Sequence, residues 1–294
     1  MGGSGELGEF LRRRRAAVTP ADLDLRAPAG RRRVIGLRRE ELAGLAGISV
    51  AYYTRLEQGH VANASDQVLG ALARALLLDD TQRAHLFDLA RRPRRPARRR
   101  PRVERAHPRT LELLSALDHL PAVLLGRRND VLAWNRMGHA LLAGHVPFDA
   151  PDDPTTRPSM SRMLFLDART RELERDWEHY ARTHVGYLRL ISGRHGDDPA
   201  LAELIGELAM KSPEFAAMWA GGDVRECTFG SRTLNHPDVG PVEVTYQVWL
   251  QPDQPDHRLE IYTPGPDPAA AAAFAALERG LVHAAPSRAS ADTD

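Results

Sequence analysis

The sequence predicts two domains, an all-α helical bundle followed by an α+β domain. Three stretches predict this. Between residues 5 and 90, apolar residues recur at three- and four-residue steps, the spacing of helices with one buried face. Residues 91–105, RRPRRPARRRPRVER, interrupt that pattern with Pro93, Pro96, Pro101 and clustered arginines. Further on, Val242, Val244, Tyr246, Val248 and Leu250 alternate strictly with Glu243, Thr245, Gln247 and Trp249, the period of a half-buried strand. The boundaries that follow are a helical domain over 1–90, a linker over 91–105 and an α+β domain over 106–266. An Ala-rich last helix with a disordered tail takes residues 267–294.

In chain order, the first helix spans residues 5–18, with Leu7, Phe10 and Leu11 on its apolar face and Arg12 to Arg15 beyond it. Thr19-Pro20 and Ala27-Pro28-Ala29-Gly30 then break the backbone, which makes 19–36 a long loop. Within it, Arg31-Arg32-Arg33 reads either as a phosphate contact or as a solvated basic loop. Residues 37–59, LRREELAGLAGISVAYYTRLEQG, carry the strongest signal. Leu42, Leu45 and Ala46 put an apolar face on a short helix, Gly47 supplies a left-handed turn without a Cβ penalty, and Ile48 plugs the corner. Ser49 is a good N-cap, the next helix buries Tyr53 and Leu56, and Gly59 stops it. That is a helix-turn-helix, whose second helix suits a DNA major groove.

An ordinary helical hairpin has the same outline, and two features argue against it. Arg38 and Arg39 stand at a helix start, where side chains and free amides meet phosphate. The outward face of the second helix offers Val50, Ala51, Tyr52 and Arg55, a mix suited to base edges and thymine methyls. Val68, Ala71, Leu72, Ala75 and Leu76 mark a fourth helix. Asp79-Asp80-Thr81 opens a fifth, with Leu86, Phe87 and Ala90 inward.

At 294 residues the chain can bury a sizeable core in each domain. No apolar run approaches the roughly 20 residues of a membrane span, and no secretory signal precedes the first helix, so a cytoplasmic protein is expected. A single cysteine, Cys227, excludes an internal disulfide framework and any multi-cysteine zinc site. Among 40 basic residues only Lys211 is a lysine, a bias that reads first as a high-GC coding signature. The net charge of +1 hides an asymmetry. Residues 1–105 carry 22 basic and 12 acidic side chains, +10, while the remainder carries 18 and 27, −9. A basic first third fits a polyanion-binding module, although a basic domain balancing an acidic one gives the same count.

The 91–105 linker is extended, because its prolines forbid a regular helix and its arginines repel one another. It reads equally as an arm along DNA or as a charged tether. From Pro108, Leu113, Leu114 and Leu117 mark a helix. Ala122–Gly126 and Val131–Trp134 read as two strands around the 127–130 turn. A helix from Arg136 to Ala143 and a Pro- and Asp-rich loop through Pro158 follow. Leu173, Trp177, Tyr180, His184, Leu188 and Ile191 then predict the longest helix, from Thr170 to Ile191. Helices over 200–210 and 213–220 come next, the second with Ser212 as cap and Pro213 at its first position. Strands over 226–234, 242–250 and 258–263 close an antiparallel meander with helices on one sheet face.

No P-loop, hydrolase elbow, dinucleotide fingerprint or metal-spaced His/Cys set is present, so no enzyme, cofactor or metal is expected. His184, alone on an apolar helix face, reads as a hydrogen-bonded core histidine or as a ligand contact. Cys227 reads as a small buried hydrophobe. Trp134, Phe165, Trp177, Trp219 and Tyr246 come from separate elements and either pack the core or line a pocket.

Two resemblances add to this. Glu41-Leu42-Ala43, Gly47-Ile48-Ser49 and Leu56-Glu57-Gln58-Gly59 make the segment similar to the lambda-repressor-like (Cro-like, XRE) helix-turn-helix. That resemblance implies Arg38 and Arg39 on phosphate, and Ser49, Val50, Ala51, Tyr52 and Arg55 on the recognition helix. It also implies a buried Tyr53 and a structural Glu57. The second domain resembles the ligand-binding domain of MmyB-type regulators, found behind this helix-turn-helix in actinobacterial proteins. The matching words are Leu132-Ala133-Trp134-Asn135, Phe165-Leu166-Asp167, Asp176-Trp177-Glu178, Ser212-Pro213-Glu214-Phe215 and His236-Pro237-Asp238-Val239-Gly240. Ala168 stands where the family often has proline. The resemblance implies a PAS-like fold and a small apolar effector such as a fatty acid or acyl chain, with Trp134, Asn135, Phe165, Trp177, His184, Trp219 and Tyr246 as candidate contacts. The expected partners are an operator in double-stranded DNA and a second copy of the chain. The alternative is a second domain that serves protein interaction or dimerisation without a small molecule.

Overall fold

The computed structural model describes residues 3–23, 36–61, 64–91, 103–222, 224 and 228–284. The chain forms two compact units, each described by itself. Unit 1 takes residues 1–101 together with Val185–Gly206 and Ala217–Glu226. Unit 2 takes Arg102–His184, Glu207–Ala216 and the remainder.

Unit 1 holds the predicted helices: α1 (Gly3–Ala17), α2 (Arg39–Leu45), α3 (Val50–Glu57), α4 (Asp66–Ala75) and α5 (Asp80–Arg91). Their starts follow the local chemistry. Ser49 accepts from the Tyr52 amide at 3.1 Å, Ser65 from Val68 at 3.3 Å, and Asp79 from Gln82 at 2.8 Å. Leu7, Phe10, Leu11, Leu42, Tyr53, Leu56, Leu72 and Leu86 meet in one core. Two glycines allow the geometry. Gly47 turns between α2 and α3 at φ +65°, and a Cβ at Gly8 would run into the Glu57 carbonyl where α1 crosses α3. A Cβ at Gly47 meets nothing within 4 Å, so Gly47→Ala should cost about 1 kcal/mol through backbone strain alone, read from a urea unfolding midpoint. Leu45 departs from expectation, being exposed rather than on the apolar face. The Arg31–Arg33 stretch and most of the 91–105 linker lie outside the described residues, as do Cys227 and the tail beyond residue 284.

Unit 2 is a five-stranded antiparallel sheet in the order β2-β1-β5-β4-β3. The strands are β1 (Ala122–Leu125), β2 (Val131–Trp134), β3 (Phe229–His236), β4 (Gly240–Gln251) and β5 (Gln254–Pro264). His236 pairs with Gly240 across a three-residue loop, and Gly240 at φ +74° takes the left-handed position that such hairpins need. The helices are α6 (Pro108–Ala116), α7 (Arg136–Ala143), α8 (Met160–Leu166) and α9 (Ala168–Leu173). Next come α10 (Trp177–Arg194), α11 (Pro199–Lys211), α12 (Pro213–Gly221) and α13 (Pro268–Ala284), with the later parts of α10 and α12 and the earlier part of α11 counted in unit 1.

Three expectations need correction. The helix predicted from Thr170 to Ile191 is broken at Glu174–Asp176. There the Arg175 amide donates to Thr233 of β3 at 3.1 Å and Glu174 bridges to Leu234, so extended pairing displaces helical bonds. Residues 160–166 form a helix, capped by Ser159, where none was predicted. Helices also cover both sheet faces rather than one. Val123, Leu125, Val242 and Val244 pack with α7 and α13, while Ala122, Leu124 and Leu259 pack on the other side with Leu114 of α6.

Candidate functional site

Two sites emerge, one in each unit. In unit 1 the α2–α3 turn places α3 at the surface. Tyr53 and Leu56 on its inner side are fully buried, while Val50, Ala51 and Arg55 are exposed and Tyr52 is half-buried against the core. The Arg55 side chain makes no hydrogen bond or ion pair among the described residues. Arg38 is the residue that caps the start of α2, its amide donating to the Glu41 carboxylate at 2.7 Å.

What anchors α3 is Glu57. Its side chain is 1% exposed and accepts from Arg15 Nε, Arg39 Nε and the Tyr53 hydroxyl, each at 2.7 Å. Burial alone would raise this carboxyl, but hydrogen bonds from Arg15, Tyr53 and Arg39 outweigh it and hold the group below the usual carboxylate range. Burial and the Glu57 charge push the Tyr53 phenol up. Arg39 is therefore shared: its Nε is committed to Glu57, while about half of its side chain stays exposed at the helix start.

In unit 2 the inner sheet face carries a buried polar centre. Arg232 of β3 donates to Glu174 at 2.7 Å and to the Tyr262 hydroxyl at 3.1 Å, and that hydroxyl donates to Glu260 at 2.8 Å. Arg258 lies 3.9 Å from Glu260 and donates to Asn129, which in turn donates to Ser161 at 2.9 Å. The Arg232 guanidinium also stacks 4.0 Å from the Tyr180 ring centroid, and the His184 ring lies 4.6 Å from the same ring. Burial, then the nearby Arg258 and Arg232 charges, drive His184 down to about 3, so it is neutral. Burial raises the Glu174 carboxyl despite Arg232. Arg232 Nε and His184 Nδ1 are buried without a hydrogen-bond partner among the described residues.

Residues 6–86 match the profile of a helix-turn-helix domain. Residues 106–277, more than half of the chain, match that of the MmyB-like transcription regulator ligand binding domain. The chain belongs to the MmyB-like transcription regulators. It joins a DNA-binding domain to a ligand-binding domain, the make-up of a ligand-responsive transcription regulator. No individual curated protein matches it.

In this MmyB-like regulator the predicted ligand contacts divide. Phe165 and Trp177 stack edge-on at 5.7 Å, with Phe215 at 5.0 Å from Phe165. Trp134 and Tyr246 join the core under α7 and α13. Trp219 falls in unit 1, beside Arg189. Asn135 is a correction. Its amide accepts from Ala122 and Gly138 and donates to Leu117 and Leu120, so no capacity is left for a ligand; it caps α7. None of these residues lines the groove of about 460 Å³ between Leu141, His145, Arg169, Leu173 and His236.

The polar centre itself was missed. Its signal was Arg258, Glu260 and Tyr262 at two-residue spacing, which reads as the solvent face of a strand until Tyr262 is seen in the core that α7 and α13 cover. Among the described residues no helix is long and apolar enough to cross a membrane, and no three-residue His/Cys/Asp/Glu group fits a metal.

Proposed function

We propose that this regulator binds a palindromic operator as a homodimer in the cytoplasm, through a lambda-repressor-like module, and that a small apolar effector in a PAS-like second domain controls it. The observation that carries the DNA half is Arg55, exposed beside Val50 and Ala51 on the outward face of a helix whose inner face is locked by Glu57. Ser49, Val50, Ala51, Tyr52 and Arg55 would face bases, with Arg38 and the exposed edge of Arg39 on phosphate. The effector acts by binding one dimer geometry more tightly than the other.

Arg55→Ala should cost about 1–3 kcal/mol on the preferred site and relax preference at one base pair, measured by fluorescence anisotropy on base-substituted duplexes. Arg39→Ala should weaken all duplexes alike; a loss confined to one base would assign it to readout instead.

For the effector half, Phe165, Trp177 and His184 are the contacts the geometry favours, since two share a ring cluster and the third has an unmet buried nitrogen. Native mass spectrometry of the purified protein, followed by denaturing extraction, tests it. A dimer retaining a lipid-sized mass is expected, and a bare monomer would overturn both the dimer and the tightly held effector. A second reading, a protein-interaction domain, is favoured by the exposed Phe229 and Trp249, at 78% and 59% exposure on the outer sheet face. A bare dimer that captures no small molecule would select it.

A further inference from the structure

We propose that α10 couples the two units: one unbroken helix is a structural part of both, so the packing of its first half is felt at α3 through its second half. This rests on the reading of the chain as a ligand-responsive regulator and names the element that carries the response.

Helix α10 runs from Trp177 to Arg194, and the division between the units falls within it, between His184 and Val185. In unit 2 the Trp177 indole donates to the Leu164 carbonyl at 2.8 Å, and the Tyr180 ring carries the Arg232 guanidinium at 4.0 Å. In unit 1 Leu190 is 1% exposed and shares one apolar core with Phe10 of α1 and with Leu86 and Leu89 of α5.

The seam inside unit 1 is tight. Gly193 lies so close to α5 that a Cβ there would run into the His85 ring. That ring is buried and stands edge-on to Phe10 at 5.2 Å, so in a close-packed core it has little room to turn aside. The end of α12 joins the same seam. Val224 is in the core, and a Cβ at Gly222 would run into the Arg13 side chain of α1. Arg189 of α10 donates to the Trp219 carbonyl, with its guanidinium 4.4 Å from the Trp219 ring centroid. At the rim Arg194 Nε lies 3.4 Å from Asp88, a partly exposed pair that adds little.

Helix α1 passes the contact on. It shares the core with Leu190 at Phe10 and meets the end of α12 at Arg13. On its other side it meets α3 at Gly8, against the Glu57 carbonyl, and through the ion pair of Arg15 with Glu57. Close-packed helices shift as bodies rather than deform, so a displacement of α10 reaches α3 through α1 without any change in the residues of α3.

The test is differential scanning calorimetry of the full-length protein, with no ligand added. With α10 shared, the protein should melt in a single cooperative transition. Gly193→Ala sets a methyl group against His85 and should split off a first transition, unit 1 melting at least about 4 °C below the rest. His85→Ala alone opens space and should keep the single transition. Once the ring is gone, Gly193→Ala should no longer split it, because the two substitutions act at one contact. Two independent transitions in the unsubstituted protein, or a Gly193→Ala protein that still melts as one, overturn the coupling. A split that persists in the double variant overturns the seam as its seat. None of these results touches the effector reading, which stands or falls on the retained mass, and a bare protein there leaves the coupling standing.

Discussion

Glu57→Ala should destabilise the DNA-binding unit by about 3–5 kcal/mol, the range for removing one partner of a buried ion pair. The carboxylate is where α1, α2 and α3 are tied together. Arg15 comes from the first, Arg39 from the second, and Tyr53 from one turn earlier in the third. Without it Arg15, only 14% exposed, keeps the Leu37 carbonyl at 2.8 Å and loses its counter-charge. Urea unfolding should show the loss, and operator affinity should fall for all sequences together because α3 is misplaced rather than altered. A change under about 1 kcal/mol would show that solvent reaches the site and screens it.

The same group sets a pH dependence. Its folded pKa is lowered, so its contribution is full above the unfolded carboxylate value of about 4.3 and disappears as pH falls through the folded one. Glu57→Gln should flatten the acid limb of the stability profile in that window, and an unchanged limb would assign acid unfolding to other carboxylates.

Arg232→Met should cost a similar 3–5 kcal/mol, because it leaves Glu174 buried without its 2.7 Å partner. The informative variant is the double, Arg232→Met with Glu174→Met, which removes both charges and should recover most of the loss. Glu174 is already raised by burial, and losing Arg232 raises it further. A carboxyl that holds its proton when folded and releases it when unfolded makes stability fall as pH rises, so the single variant should be weaker at about pH 8 than at about pH 5. A double variant no more stable than the single would show that Tyr262 and Tyr180 need the guanidinium for their own placement.

How much was legible differed between the units for a physical reason. In unit 1, the cap Ser49, the φ > 0 turn at Gly47 and the buried Tyr53 and Leu56 are local consequences of residue type and helical period, and the structure places them as read. Leu45 shows the limit: spacing assigned it inward, but a short helix has room for only part of its apolar stripe against the core. In unit 2, the long apolar run from Thr170 looked like one helix because periodicity registers side chains only. The break at Glu174 is made by backbone bonds to a strand some 60 residues away.

The sequence by itself determined the two-domain order, the second helix of the helix-turn-helix with Arg55 outward, and the positions of the five strands, since capping, turn chemistry and two- or 3.6-residue periods act over a few residues. Only the tertiary structure decided which face of β5 is interior. Alternation separates Arg258, Glu260 and Tyr262 from Leu259 and Ile261 but cannot say which set is covered when helices lie on both sides of the sheet. The charged set went inside because Glu174, brought in from a distant break in the helices, neutralises Arg232, and Glu260 does the same for Arg258. The Arg258–Glu260 pair is local to β5, but the Arg232 charge is tolerable only because Glu174 arrives from a distant part of the chain, and that pairing is not written in any local stretch of it.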